Sequence, residues 1–198
     1  MRKKNKLVYG VGINDADYFV QPYVNGRQVC CPYYKKWKGM LERCYDAKLK
    51  SDHPTYNECS VCPDWIYFSR FKSWMECQDW VGKDLDKDIL HKGNKMYSPE
   101  LCVFVNQATN KFIIDSMAAR GNYPIGVSFH KCTGKFMSAC GNPLTKRYDY
   151  IGVFDTVEEA HMAWRLKKQE YSLYIASIQT DSRVADAIIE RYRAEVAR

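Results

Sequence analysis

The sequence has no apolar run near the roughly 18 residues that a membrane-spanning helix needs, so no such helix and no membrane partner are expected. The opening stretch, MRKKNKLVYG, is basic but has no apolar signal-peptide core behind it, which points to a cytoplasmic protein with reduced thiols. The nine cysteines are an odd number, which argues against a closed disulfide framework. Zinc spacing is scarce as well. Cys59 and Cys62 form a single CxxC with no second pair to match. Cys44, Cys77 and Cys102 would complete a structural zinc site only if the fold gathered them. Buried thiols are the simpler reading.

Aromatic residues are plentiful, at 14%, with 15 Tyr and five Trp, enough for a packed core. A chain of 198 residues forms one large domain or two small ones. Its net charge of +7 and isoelectric point near 8.9 favour an anionic partner, most simply nucleic acid.

Arg2, Lys3, Lys4 and Lys6 make a basic arm or a solvated tail. LVYGVGI and YFVQPYV are strand-like, with a turn at Asn25-Gly26. Pro32 opens a helix through YYKKWKGMLERCYD. Its apolar positions Trp37, Met40, Leu41, Cys44 and Tyr45 recur at helical spacing. The polar stretch KLKSDHPTYNECS is expected to be a loop. FSRFKSWMECQDW is expected to be a helix with Phe68, Phe71, Trp74 and Met75 facing the core. LDKDIL and LCVFV then predict two strands, joined by HKGNKMYSPE and followed by a short helix at NQATNKFIID.

That order of strand, turn, strand and helix, with the run Trp37, Met40, Arg43 and Cys44 before it and Val61, Cys62 and Trp65 between, resembles the HNH nuclease family and its ββα-metal motif. The likeness is to phage-borne members and covers roughly residues 33 to 114. The resemblance implies a divalent metal, usually Mg²⁺, that stabilises the leaving oxygen of a phosphodiester. It puts Asp86 on the acidic ligand and Asn110 on the helix ligand, with Asp88 as a second ligand or a solvated residue. Lys87 stands where the family has its histidine base. A lysine of ordinary pKa, about 10.4, is protonated at neutral pH and cannot act as that base, though it can contact phosphate. His91, in the turn, is either a substitute base or an exposed turn residue. Lys83, Lys87, Lys92 and Lys95 supply cations for backbone contact even if cleavage is lost.

Further along, IGVSFH, KFMSAC and YIGVF predict three short strands. A helix capped by Asp155 or Thr156 follows, with Glu158 and Glu159 in its first turn. The residues Gly126-Val127, Gly134-Lys135-Phe136, Ile151-Gly152, Phe154, Thr156, Glu158, Glu159, Ala160 and Ala163 resemble the ethylene-response-factor (apetala-type) DNA-binding domain. This resemblance implies that a three-stranded antiparallel sheet enters the major groove. On its outward face the family carries arginines and tryptophans. Here Ser128, His130, Ala139, Gly141, Tyr148 and Tyr150 hold those places, with Lys131, Lys135, Lys146 and Arg147 close by. Phosphate contact with modest base specificity follows; a small structural sheet with a solvated face is the alternative. The last helix, after Thr180-Asp181, carries Val184, Ile188, Ile189, Tyr192 and Val196 as its stripe. It packs back on the core or forms a homodimer contact.

The expected fold is thus α+β: an HNH-like ββα unit with flanking helices, then a three-stranded antiparallel sheet packed on a helix. The expected boundaries are 1–32 for the arm and short strands, 33–116 for the HNH-like domain, 121–176 for the apetala-type domain and 177–198 for the final helix. The resemblances imply a duplex-DNA-binding protein of the homing-endonuclease type, in the cytoplasm of an infected bacterial host. Mg²⁺-dependent cleavage is retained or lost. The alternatives are a regulatory DNA-binding protein and an inhibitor that binds a protein of a host defence system.

Overall fold

The computed structural model describes residues 7–114 and 122–193. The expected basic arm, and Val196 of the final stripe, lie outside them. The fold is mixed α/β, with six α-helices and four small sheets among the described residues. None of these helices is long and apolar enough to cross a membrane. The chain divides into two compact units, residues 1–106 and 107–198.

In the first unit, β1 (Tyr23–Val24) and β2 (Arg27–Gln28) form a hairpin. Its turn residues Asn25 and Gly26 both have positive φ, as a two-residue hairpin turn demands. The expected strand over LVYGVGI is reduced to isolated bridges, Val8 to Gly12 and Ile13 to Tyr67. Tyr9 and Gly10, both at positive φ, turn the chain back within this run, so no extended strand forms. Gly12 lies so close to helix α1 that a Cβ there would come within 2.3 Å of Leu41 Cδ1. Helix α1 (Pro32–Tyr45) buries Tyr34, Trp37, Met40, Leu41 and Cys44, the i, i+3, i+4 face of an amphipathic helix. The Trp37 indole donates to the Trp65 carbonyl at 2.7 Å, so its burial leaves no polar group unsatisfied.

The segment after α1, expected to be a loop, contains helix α2 (Ala47–Asp52) and a 3₁₀ turn at Pro54–Tyr56. Asp46 caps α2 by accepting from the Leu49 amide at 2.8 Å. No residue of α2 is buried, so it has no apolar period to read. Strand β3 (Ser60–Val61) and a 3₁₀ turn (Pro63–Ile66) lead to helix α3 (Phe68–Glu76). Helix α3 ends four residues before the expected Trp80, which leaves the helix to pack on Tyr33 at 5.0 Å. Strand β4 (Asp84–Asp86), β5 (Met96–Tyr97) and β6 (Val103–Val105) follow. Strands β4 and β6 pair antiparallel, whereas β5 leaves them to pair in parallel with β3. Trp74 packs tilted against Trp65 at 4.5 Å and stacks on Phe104 at 5.6 Å in an aromatic core.

The second unit opens with helix α4 (Gln107–Ile113). Strands β7 (Val127–His130), β8 (Lys135–Gly141) and β9 (Tyr148–Phe154) form an antiparallel sheet in that order. Helix α5 (Val157–Ser177) lies across the sheet. A full capping box starts it: Thr156 accepts from the Glu159 amide, and Glu159 accepts from the Thr156 amide. Helix α6 (Ser182–Tyr192), capped by Asp181, packs back on α5 through the buried Val184 and Ile188. Gly126 marks the tightest approach. Its φ is +83°, and a Cβ there would lie 1.9 Å from Trp164 Cδ1, so only glycine lets the sheet close on α5.

Candidate nucleic-acid interface

Side chains alternate across a strand, and paired residues of antiparallel neighbours share a face. On β8, Ser138 and Cys140 are buried on the α5 side. Lys135, Met137, Ala139 and Gly141 therefore face away from α5. Their partners are His130 opposite Lys135, Ser128 opposite Met137, Tyr150 opposite Ala139 and Tyr148 opposite Gly141. Val153 also pairs with Met137. All six positions expected on the outward face lie there. The register alone does not make this obvious, because Val153 and Tyr150 are an odd number of residues apart. A bulge at Ser138/Ala139 takes up the extra residue in β9 and restores the alternation.

The face is aromatic at one end. Tyr148 is 83% and Tyr150 65% exposed, large rings with no apolar cover. Met137 and Val153 share the face and were not anticipated. Their only signal in sequence was strand alternation, which the bulge interrupts.

The cations differ in their freedom. Lys131 lies exposed in the β7–β8 turn, where His130 Nδ1 and Thr133 Oγ1 sit 2.9 Å apart. Lys135 is held by Asp155 at 2.7 Å, so part of its charge is already answered. Lys146 and Arg147 are exposed in the β8–β9 turn and form no ion pair among the described residues. That turn is braced by Asn142. Its Oδ1 accepts from the amides of Leu144 at 2.8 Å and Thr145 at 3.2 Å, and its Nδ2 donates to Asp149 at 2.9 Å. Asp149 in turn accepts from the Tyr171 hydroxyl on α5, and these bonds hold its carboxyl below the usual range. The loop that presents Lys146 and Arg147 is thereby tied to the helix behind the sheet. An asparagine at the start of a turn was the available signal for it.

The second expected site divides between the units. Asp86 ends β4 and Lys87, Asp88 and His91 lie on the loop after it, whereas Asn110 lies on α4 in the second unit. Asp86 Oδ1 accepts from the amides of Asp88 at 2.8 Å and Ile89 at 2.7 Å, closing a tight turn. Burial is the main cause that raises its pKa, and the two amides only partly offset it. Lys87 points inward and is 4% exposed. Its ammonium donates to Asp88 Oδ2 at 2.6 Å and to the Asn94 carbonyl at 2.7 Å. Asn94 answers with its own Nδ2, which donates to the carbonyls of Lys87 and Met96 at 2.9 and 2.7 Å. The loop is thus laced around the lysine, and Asn94 is a structural residue that strand-and-turn reading overlooked. His91 is exposed in the loop.

These carboxylates do not fit a ready-made metal site. One Asp86 oxygen is committed to two amides, and an Asp88 oxygen is committed to a cation that would repel a second one. No group of three His, Cys, Asp or Glu among the described residues is placed to hold a metal ion. All nine cysteines are free thiols. Cys44, Cys59 and Cys102 are buried, Cys62 is half-buried and Cys77 is exposed. Burial pushes the Cys44 and Cys102 thiols up to about 12, away from the thiolate that zinc requires. No protein family, curated protein or solved structure matches the chain.

Proposed function

We propose that the protein binds duplex DNA through the outward face of the β7–β8–β9 sheet. Its relation to the apetala-type domain, with an HNH-like ββα unit before it, belongs to this same reading. The observation that carries it is the coincidence of three things on one face: exposed Tyr148 and Tyr150, a row of small or polar side chains, and the unpaired Lys146 and Arg147 at its border. Small residues let a sheet approach a groove closely. The turn cations meet phosphate, and the tyrosines supply flat contact and a hydroxyl each. Without arginine aimed at base edges, the sheet favours backbone contact over strict sequence choice.

Fluorescence anisotropy with a labelled duplex tests this reading. Affinity should fall by about 10³-fold or more between 50 and 200 mM salt if six phosphates are neutralised. Replacing Lys131, Lys146 and Arg147 with glutamine together should weaken binding to all sequences alike. Lys135→Gln should matter less, because Asp155 already pairs with it. No binding at 50 mM salt would sink the proposal.

Cleavage is not part of this reading, because Lys87 is enclosed and the nearby carboxylates are engaged. The same preparation incubated with supercoiled plasmid and Mg²⁺ or Mn²⁺ should leave it intact. Metal-dependent nicking that Asp86→Asn abolishes would restore the endonuclease reading.

A further inference from the structure

The second unit has a groove that shares Lys146, Arg147 and Tyr148 with the proposed duplex-binding face but extends beyond it. It runs along β8 at Ala139 and Gly141, past the point where β7 ends with Val127 opposite Ser138. Its cavity volume is about 840 Å³, within the roughly 300–1,000 Å³ of small-molecule sites. Among the described residues, four cations line it: Lys111 from α4, Lys146 and Arg147 from the β8–β9 turn, and Lys168 from α5. No aspartate or glutamate among the described residues lines it. The rest is largely apolar or aromatic, with Phe112, Ile125, Trp164 and Tyr148.

Lys168 makes this more than a patch of surface charge. It is 9% exposed, and no carboxylate pairs with it among the described residues. Its ammonium donates to the Phe112 carbonyl at 2.7 Å and sits 3.5 Å from the centre of the Phe112 ring. A buried cation answered only by a carbonyl and ring faces leaves a positive potential in its surroundings. Lys111, Lys146 and Arg147 form no ion pairs among the described residues either, so this wall of the groove carries charge that an anion would compensate. The apolar remainder selects for an anion with a flat body, and a bare ion would leave that surface wet.

We propose that this groove binds a nucleotide, with its phosphate among Lys111, Lys146 and Arg147 and its base against Tyr148 and Trp164. The chemistry is that of a nucleoside monophosphate, either free or at the end of a single strand. The proposal stands apart from duplex binding, since nucleotide binding is measured with no duplex present and either can fail alone.

Isothermal titration of the full chain tests it with thymidine monophosphate, thymidine, inorganic phosphate and a short 5′-phosphorylated oligothymidylate. The monophosphate should bind at least about tenfold more tightly than thymidine or phosphate, because each lacks one set of contacts. Lys111→Gln combined with Arg147→Gln should weaken it about tenfold or more, and Tyr148→Ala should reduce the advantage over phosphate. Circular dichroism confirms that the variants are folded. A tighter oligothymidylate identifies a strand end as the source, and equal affinity identifies the free nucleotide. Monophosphate no tighter than inorganic phosphate, or unchanged in the charge variant, would overturn the proposal.

Discussion

Asp86 and Lys168 show how burial redirects a charged residue. Asp86 reads as a metal ligand in sequence, but its Oδ1 closes a turn by accepting two amides. Asp86→Ala should therefore cost roughly 1–2 kcal/mol in a urea melt, the range of a lost cap with amides left unanswered. Asp86→Asn keeps the acceptor and removes a half-buried charge whose pKa burial has raised, so it should hold or gain stability at neutral pH. A loss in Asp86→Asn that appears only with Mg²⁺ present would count against the structural role. Lys168 is depressed to about 8 from 10.5, chiefly by burial. The unfolded chain then binds more protons than the folded one between about pH 8 and 10.5, so this residue's contribution rises with pH across that window. The full span is on the order of 3 kcal/mol. From pH 9 upward the raised thiols of Cys44, Cys102 and Cys140 act in the opposite direction. Comparison with Lys168→Met isolates the lysine. The stability of the wild type relative to the variant should climb from pH 7.5 to 9.5, and a pH-independent difference would refute the assignment.

Among the elements, legibility followed burial. Helix α1 and helix α5 were readable because one has a wide apolar stripe and the other a capping box at Thr156 and Glu159. The three strands β7, β8 and β9 were readable because turn residues separate them. Helix α2 was not, since all of its side chains face outward or lie half-buried and a lone Asp46 cap is a small signal. Nor was the β3–β5 pair, whose two-residue strands are held by a long-range register that no local pattern encodes. For the candidate sites, residue types were visible but their direction was not. The sequence could not show that Lys87 turns inward, because its partner Asn94 lies seven residues away across a loop. The groove cations Lys111 and Lys168 come from helices on either side of the sheet in sequence, so only the fold brings them together. Gly126 tests the close approach of sheet and helix. Gly126→Ala should destabilise the second unit by more than about 1 kcal/mol, since both the positive φ and Trp164 oppose a Cβ. An unchanged melting temperature would mean that Trp164 moves aside freely.

For the whole molecule, the net charge of +7 would draw an anionic polymer to the surface before any specific contact formed, so if the proposed DNA binding holds, added salt should slow the association rate. The charge does not distinguish the proposed duplex binding from the proposed nucleotide binding, and the sheet face and the groove share Lys146, Arg147 and Tyr148. The thiols have a different consequence. Each unit keeps cysteines sealed in its interior, Cys44, Cys59 and Cys102 in the first and Cys140 in the second, while Cys77 and Cys132 stand open to solvent. An alkylating reagent therefore consumes the open pair at once. It reaches the sealed ones only when their unit transiently opens, so the lag at each site clocks the breathing of one half of the chain independently of the other. Cys132, beside Lys131 in the β7–β8 turn, also offers a natural anchor for a fluorophore, one that would report on the proposed duplex binding without any engineered residue.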